Sequence, residues 1–220
     1  MQEKFSRRRL PHWDLPGATY FITTCLADSI PAQGQLELAR LRSQLQRTAR
    51  PPNMAAHEWA ARRWKSLFVQ FDDWLDHHPA SRLLEHSSAA DIVVESLKHF
   101  AGQRYDLIAW VVMPSHLHWV FRPRDEWVAS LGDAVNQRPP RQRIQFTLNT
   151  HTALECNRLL GRSGRFWQWE SYDHCVTDED ELERIVAYVH ANPVTAGLVE
   201  RPESYRWSSA ATHLDLERHP

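Results

Sequence analysis

The chain predicts an α+β fold: a ferredoxin-like antiparallel sheet with helices packed on it, plus a helical insertion after the first strand. Three observations carry this. Short β-branched and aromatic runs alternate with segments of helical periodicity. Two of the runs, 105–113 and 116–121, are joined only by Pro114-Ser115, a connection short enough to make them a hairpin. The 220 residues, 42% hydrophobic, hold one core with additions and contain no internal repeat or low-complexity tract.

The elements follow in order. Residues 1–16 are basic, then rich in proline and tryptophan, and read as an arm. Thr19–Leu26 is β-branched and aromatic, a first strand closed by Pro31. Leucines at 36, 38, 41 and 45 predict an amphipathic helix over 35–49, broken by Pro51-Pro52. Trp59, Trp64, Phe68, Phe71 and Leu75 recur at helical spacings and predict a second helix over 54–77, before Pro79. The stretch of about 31–80 is therefore a helical insertion in a single domain spanning 1–220. Ser88 or a neighbour can cap a helix over Ala89–Phe100, with Ile92, Val93, Leu97 and Phe100 on one face. The hairpin comes next, then a loop rich in proline and arginine, then a helix over Ile144–Leu160 ended by Gly161 and Gly164. Phe166–Val176 reads as a loop leading into a strand. The last helix opens on Thr177-Asp178-Glu179-Asp180, with acids at the favourable end of its dipole, and buries Leu182, Ile185, Val186 and Val189. Pro193 is expected to stop it near Asn192.

Composition narrows the function classes. No stretch approaches the roughly 20 apolar residues that span a membrane, and residues 1–9 lack the apolar core of a signal peptide. Three cysteines, Cys25, Cys156 and Cys175, are odd in number and far apart, which suits a reduced cytoplasmic protein without a disulfide frame or zinc knuckle. The net charge of −1 argues against a uniformly basic nucleic-acid binder. Its distribution says more. Only Lys4, Lys65 and Lys98 of the 26 basic residues are lysine, leaving 23 arginines, whose planar fork pairs with phosphate in a bidentate way. A GC-rich coding sequence produces the same bias. Arg138, Arg141, Arg143, Arg158, Arg162 and Arg165 face one acid, Glu155, over that whole span. This is compatible with a phosphate-binding patch or with an ordinary solvated face.

The chemistry gathers at two places. His116 and His118 stand two apart on a strand, so both project from one face and form half of a metal site. The plain alternative is a strand carrying two histidines by chance. Tyr188 and Asn192 stand four apart on the last helix and share a face. An asparagine carbonyl suits a hard divalent cation, and a tyrosine can act as a nucleophile once activated. Taken alone, Tyr188 reads equally as a boundary core residue and Asn192 as a helix cap. Of the other tyrosines, Tyr20, Tyr105 and Tyr205 lie in strands or the tail. Tyr172 is the rival, but its i+4 residue is Val176 and offers no ligand.

These strings resemble a known family. Trp110–Phe121 resembles the His-hydrophobic-His motif of single-tyrosine transposases, and Tyr188-Val-His-Ala-Asn192-Pro193 resembles the Tyr-x-x-x-Asn-Pro signature of the REP-associated tyrosine transposases. Gly161–Trp167, Tyr205–Ser209 and the stretch from His12 to Thr23 are similar to the same branch, so the resemblance runs from about residue 10 to 213. It departs at Ser115, where the family has asparagine, and in the length of the 31–80 insertion. The resemblance implies that His116, His118 and Asn192 bind one divalent metal, Mg²⁺ or Mn²⁺. It implies that Tyr188 attacks a phosphate of single-stranded or hairpin DNA and leaves a 5′-phosphotyrosine. The six arginines and Trp167 would hold that DNA. The protein would be cytoplasmic and nucleoid-associated, act as monomer or homodimer, and need no membrane. Three other readings stay open: an inactive DNA-binding protein of the same fold, a phosphodiesterase using water, and a structural module holding zinc.

Overall fold

A computed structural model of the chain describes residues 4–7, 11–132 and 138–211. Parts of the expected arm (1–3 and 8–10), part of the arginine-rich loop (133–137) and the end of the family resemblance, from 212 on, lie outside the described residues. Within the arm, β1 (Lys4–Arg7) pairs antiparallel with β2 (Pro11–Asp14). The main elements are β3 (Tyr20–Cys25), α1 (Ala32–Arg47), α2 (Ala56–His77), α3 (Ser87–His99), β4 (Tyr105–Val112) and β5 (His116–Pro123). They continue with α4 (Asp125–Ser130), α5 (Pro140–Leu159), β6 (Tyr172–Cys175) and α6 (Glu179–Thr195). Single 3₁₀ turns lie at Leu83–Glu85 and Pro202–Ser204.

The four-stranded sheet has the order β4-β5-β3-β6 with every pair antiparallel. This is the ferredoxin-like arrangement, with α3 and α5 as its two crossover helices. The central pair is β3 and β5, in register so that Cys25 opposes His116 and Thr23 opposes His118. Alternation along β5 divides its side chains between two cores. Leu117, Trp119 and Phe121 join Ile22, Val93, Leu97, Ile144 and Leu148 under α3 and α5. Val120 joins Phe21, Val111 and Val189 under α6, so His116 and His118 face α6 as well.

The insertion between β3 and α3 is an antiparallel helix pair. Gly34 of α1 packs directly against Trp74 of α2: a Cβ there would lie 2.7 Å from Trp74 Cδ2 and 2.8 Å from Ile30 Cγ2. Near the other end the Arg63 guanidinium donates to the Leu45 carbonyl at 3.5 Å. The tip of the pair therefore lies at residues 48–55.

Three local expectations are corrected. The arginine-rich loop contains α4, opened by acids in its first turn. Helix α5 begins at Pro140 rather than Ile144, because proline at the first helical position needs no N–H partner. Helix α6 does not stop at Asn192 but continues through Pro193 to Thr195. A proline this close to the end removes one hydrogen bond only, and Gly197, at φ +69°, makes the actual exit.

A buried ion triad ties the arm to the sheet. Arg141 of α5 donates from Nε to Asp14 Oδ1 at 2.7 Å and from Nη2 to Asp14 Oδ2 at 3.3 Å, and its Nη1 donates to Asp173 of β6. Among the described residues no helix is long and apolar enough to cross a membrane.

Candidate metal and nucleophile site

The site is built from three elements far apart in sequence. Strand β5 supplies His116 and His118, both 0% exposed, with their Nε2 atoms 2.9 Å apart. Their outer nitrogens are held by hydroxyls. Thr23 Oγ1 lies 2.8 Å from His118 Nδ1 and Ser115 Oγ lies 2.9 Å from His116 Nδ1. The Ser115 contact settles a tautomer. Its hydroxyl proton is donated to the Leu75 carbonyl at 2.8 Å, so His116 Nδ1 must be the donor to Ser115 Oγ. The lone pair of His116 then sits on Nε2, facing the site. Burial, with His118 adding to it, holds His116 well below its ordinary pKa, so this imidazole is neutral.

Helix α6 brings Tyr188 and Asn192 to the same place. The Tyr188 oxygen is 3.4 Å from His118 Nε2, and Asn192 Nδ2 is 3.5 Å from the Tyr188 oxygen. The helix expected to carry these two residues thus packs on the histidine face within one chain. Burial comes first, then the charge of Asp72, in pushing the Tyr188 hydroxyl well above its ordinary pKa.

The third contributor is α2, which the sequence reading did not include in the site. Asp72 and Asp76 reach in from its inner face. Asp72 Oδ2 accepts the Tyr188 hydroxyl proton in a hydrogen bond, and Asp72 Oδ1 lies 3.2 Å from His118 Nε2. Asp76 Oδ2 accepts from Asn192 Nδ2 at 3.1 Å, and Asp76 Oδ1 lies 3.7 Å from His116 Nε2. Burial raises the Asp72 carboxyl, but the neighbouring His118, with His116 behind it, outweighs burial and holds the group below the usual carboxylate value. Burial and the neighbouring Asp72 charge push Asp76 up to about 8. A signal for these residues exists in the sequence. Asp72 and Asp76 sit four apart on the same stripe as Phe68 and Leu75, where a carboxylate is out of place unless it has a task.

The cluster fits a divalent metal. Ligand atoms of Asp72, His116 and His118 lie within 4.8 Å of one another. Asp72 Oδ1, Asp76 Oδ1 and Asn192 Oδ1 are buried and have no hydrogen-bond partner. Three orphaned acceptors beside a neutral imidazole would each carry a desolvation cost of about 1–3 kcal/mol. A cation removes that cost for all of them. Two nitrogens 2.9 Å apart are also spaced as neighbouring corners around an ion with bonds of about 2.1 Å.

The other sequence-selected residues are spread more widely. Tyr172 is not near the histidines through its hydroxyl, which donates to the Trp64 carbonyl at 2.6 Å while its ring packs on Trp64 and Phe68. Arg141 and Trp167 are buried. Arg141 is locked in the ion triad, and the Trp167 indole donates to Thr152 Oγ1 at 2.8 Å, so neither presents a surface to DNA. Arg138, Arg158, Arg162 and Arg165 are exposed and Arg143 is half-buried. Arg158 pairs with Glu155 at 3.0 Å. The exposed aromatics of this region are Phe146, under the Arg138 guanidinium, and Trp169, 79% accessible with the Arg165 guanidinium over its ring, and not Trp167.

A ferredoxin-like sheet with a His-x-His pair on its central strand and a tyrosine helix over the same face is the arrangement that the sequence resemblance led one to expect. Comparison with known proteins narrows this. No protein-family model matches the chain. Over 122 residues it is 24% identical to a REP-associated tyrosine transposase of Haemophilus influenzae, a match covering 53% of this chain. The match spans 65% of that relative, just under two thirds of its length. The solved structure of a REP-associated tyrosine transposase bound to a REP hairpin superposes with a TM-score of 0.51 at 16% identity. It covers 98% of this chain and 88% of the other. The fold is that of the REP-associated tyrosine transposases, as the motifs led one to expect.

Proposed function

We propose that this chain is a metal-dependent DNA strand transferase that cuts and rejoins single-stranded DNA through a 5′-phosphotyrosine at Tyr188. The observation that carries the reading is the convergence of Tyr188 on His118 at 3.4 Å, beside the three buried, unpartnered oxygens of Asp72, Asp76 and Asn192. Similarity to a transposase solved with a REP hairpin supports hairpin-forming, palindromic DNA as the substrate.

His116, His118 and Asp72 would hold the ion, with Asn192 Oδ1 and Asp76 Oδ1 close by. A bound Mg²⁺ or Mn²⁺ supplies Lewis-acid polarisation of the scissile phosphate. Mixed imidazole and carboxylate ligands favour Mn²⁺ among the hard cations. Tyr188 forms a bond to phosphorus while the bond from phosphorus to the 3′ oxygen breaks, releasing a strand that ends in a 3′-hydroxyl. Asp72 Oδ2 already accepts the tyrosine proton and is placed to take it as the new bond forms. The phosphotyrosine keeps the energy of the broken bond, so attack by another 3′-hydroxyl restores a phosphodiester without a nucleotide cofactor. All the parts lie in one chain, which supports a site working in cis whether the protein is a monomer or a homodimer.

Tyr188→Phe tests the mechanism. The variant is expected to lose both strand cleavage and the covalent protein–DNA adduct seen on denaturing gels with Mn²⁺. Cleavage retained without an adduct would replace the proposal with a water-using phosphodiesterase. A wild-type protein that binds hairpin DNA but never nicks it would leave a binding protein of the same fold.

A further inference from the structure

The α1–α2 insertion carries a charge asymmetry that the catalytic reading does not use. Two of its acids, Asp72 and Asp76, point into the site from the base of α2. Towards the tip the balance reverses. Between Arg40 and Lys65 there are seven cations and one acid, Glu58, in a chain whose overall charge is −1. Arg40, Arg47, Arg50, Arg62 and Lys65 are exposed. Among the described residues no carboxylate lies within ion-pair distance of any of the seven. Glu37 and Glu58 stand three and four residues before Arg40 and Arg62, but Glu37 accepts from Gln33 and Glu58 from the Ala55 N–H, and neither closes an ion pair with its arginine.

Shape agrees with the charge. An open groove of about 640 Å³ runs along α1, lined by Arg40, Ser43, Gln44, Arg47 and Thr48 together with the apolar Leu36 and Ala39. Cations with hydroxyl and amide donors between them are the groups that contact phosphate and sugar. The length also agrees. At 1.5 Å per residue, α2 places its cations about 10–15 Å from Asp72 and the tip about 24 Å away. That distance covers most of a turn of duplex.

We propose that the tip half of the insertion is a second DNA-binding surface, which grips the phosphates of the duplex stem beside the single strand entering the site. The inference rests on the DNA-processing reading above. It assigns the insertion two coupled tasks: carboxylates at its base, a backbone clamp at its tip. Recognition here is by phosphate, so the surface adds affinity without reading sequence.

The test compares wild type with a triple variant, Arg40→Gln, Arg47→Gln and Arg62→Gln, since glutamine preserves helix propensity and removes the charge. Binding to a DNA hairpin with single-stranded flanks is measured by fluorescence anisotropy across a salt series in the presence of Mn²⁺. Each lost phosphate contact lowers the slope of log K against log salt by about 0.9, so the slope should fall by about 2–3. Adduct formation on a short single strand without a stem should be unchanged, as should the circular dichroism spectrum. A slope equal to that of wild type overturns the proposal, whatever the catalytic result. Weakened binding to the stemless strand in the same proportion as to the hairpin also overturns it, because the surface would then serve the single strand. A wild type that forms no adduct with any strand removes the mechanism but leaves the slope measurement able to judge the surface.

Discussion

Ser115 is one hydroxyl with three relationships. It accepts from His116, donates to Leu75, and occupies the position where the resembling motif has asparagine. Leu75 needs it for a local reason. Its carbonyl would ordinarily accept from the N–H four residues on, but that residue is Pro79, which has none. The two departures of this chain from the family pattern, Ser115 and the long insertion, are therefore in contact with each other. Outer hydrogen bonds of this kind fix the tautomer and aim of a metal-bound imidazole. Ser115→Ala is expected to lower metal affinity by about 10- to 100-fold, read by titration calorimetry with Mn²⁺. An affinity equal to wild type would show that packing alone aims the ring. The histidines, tyrosine and asparagine were legible from the sequence because their spacings, two on a strand and four on a helix, are the spacings that share a face. Asp72 was hidden for the opposite reason: it lies over forty residues upstream of the histidines, in a helix whose aromatic periodicity reads as core.

At the scale of elements, periodicity located the main strands and helices, and the misses have physical causes. Helix α6 outran Pro193 because a helix end tolerates a missing donor. Helix α4 was hidden in a loop because its six residues are too few to show a period. The position of the insertion in sequence was legible, but not its position in space. Nothing in the pattern of α2 says which layer it will cover. Gly34 is the residue on which that placement depends, since no side chain fits between α1 and Trp74. Gly34→Ala is expected to cost about 1–3 kcal/mol by overpacking and to lift α1 from α2. Chemical denaturation should show the loss. An unchanged midpoint would mean that Trp74 can swing aside.

For the molecule as a whole, the Arg141 triad joins the N-terminal hairpin, α5 and the edge strand β6. Cutting it from the cationic side leaves two buried carboxylates facing each other. Arg141→Met is expected to destabilise the fold by about 3–5 kcal/mol, measured by thermal unfolding, without altering the histidine site. A loss well below 1 kcal/mol would mean that water reaches the pair. The arginine run of 138–165 was visible in the sequence, but its division into a structural member, Arg141, and exposed ones depends on a carboxylate 127 residues away in the chain.

The burial of His116 and His118 has a consequence for the cell that holds this protein. An enzyme of the proposed kind would live among a vast excess of DNA that it must leave alone. With the ligand nitrogens at zero exposure under α2, a passing phosphate finds nothing to bind. For the activity proposed above, a strand must gain a path to the site while Asp72 stays in place, and the free energy of opening that path multiplies into every encounter. Only a partner that recoups the opening, by engaging the protein elsewhere at the same time, can be cut at an appreciable rate. Discrimination against the rest of the genome would thus lie less in reading bases than in keeping the blade sheathed.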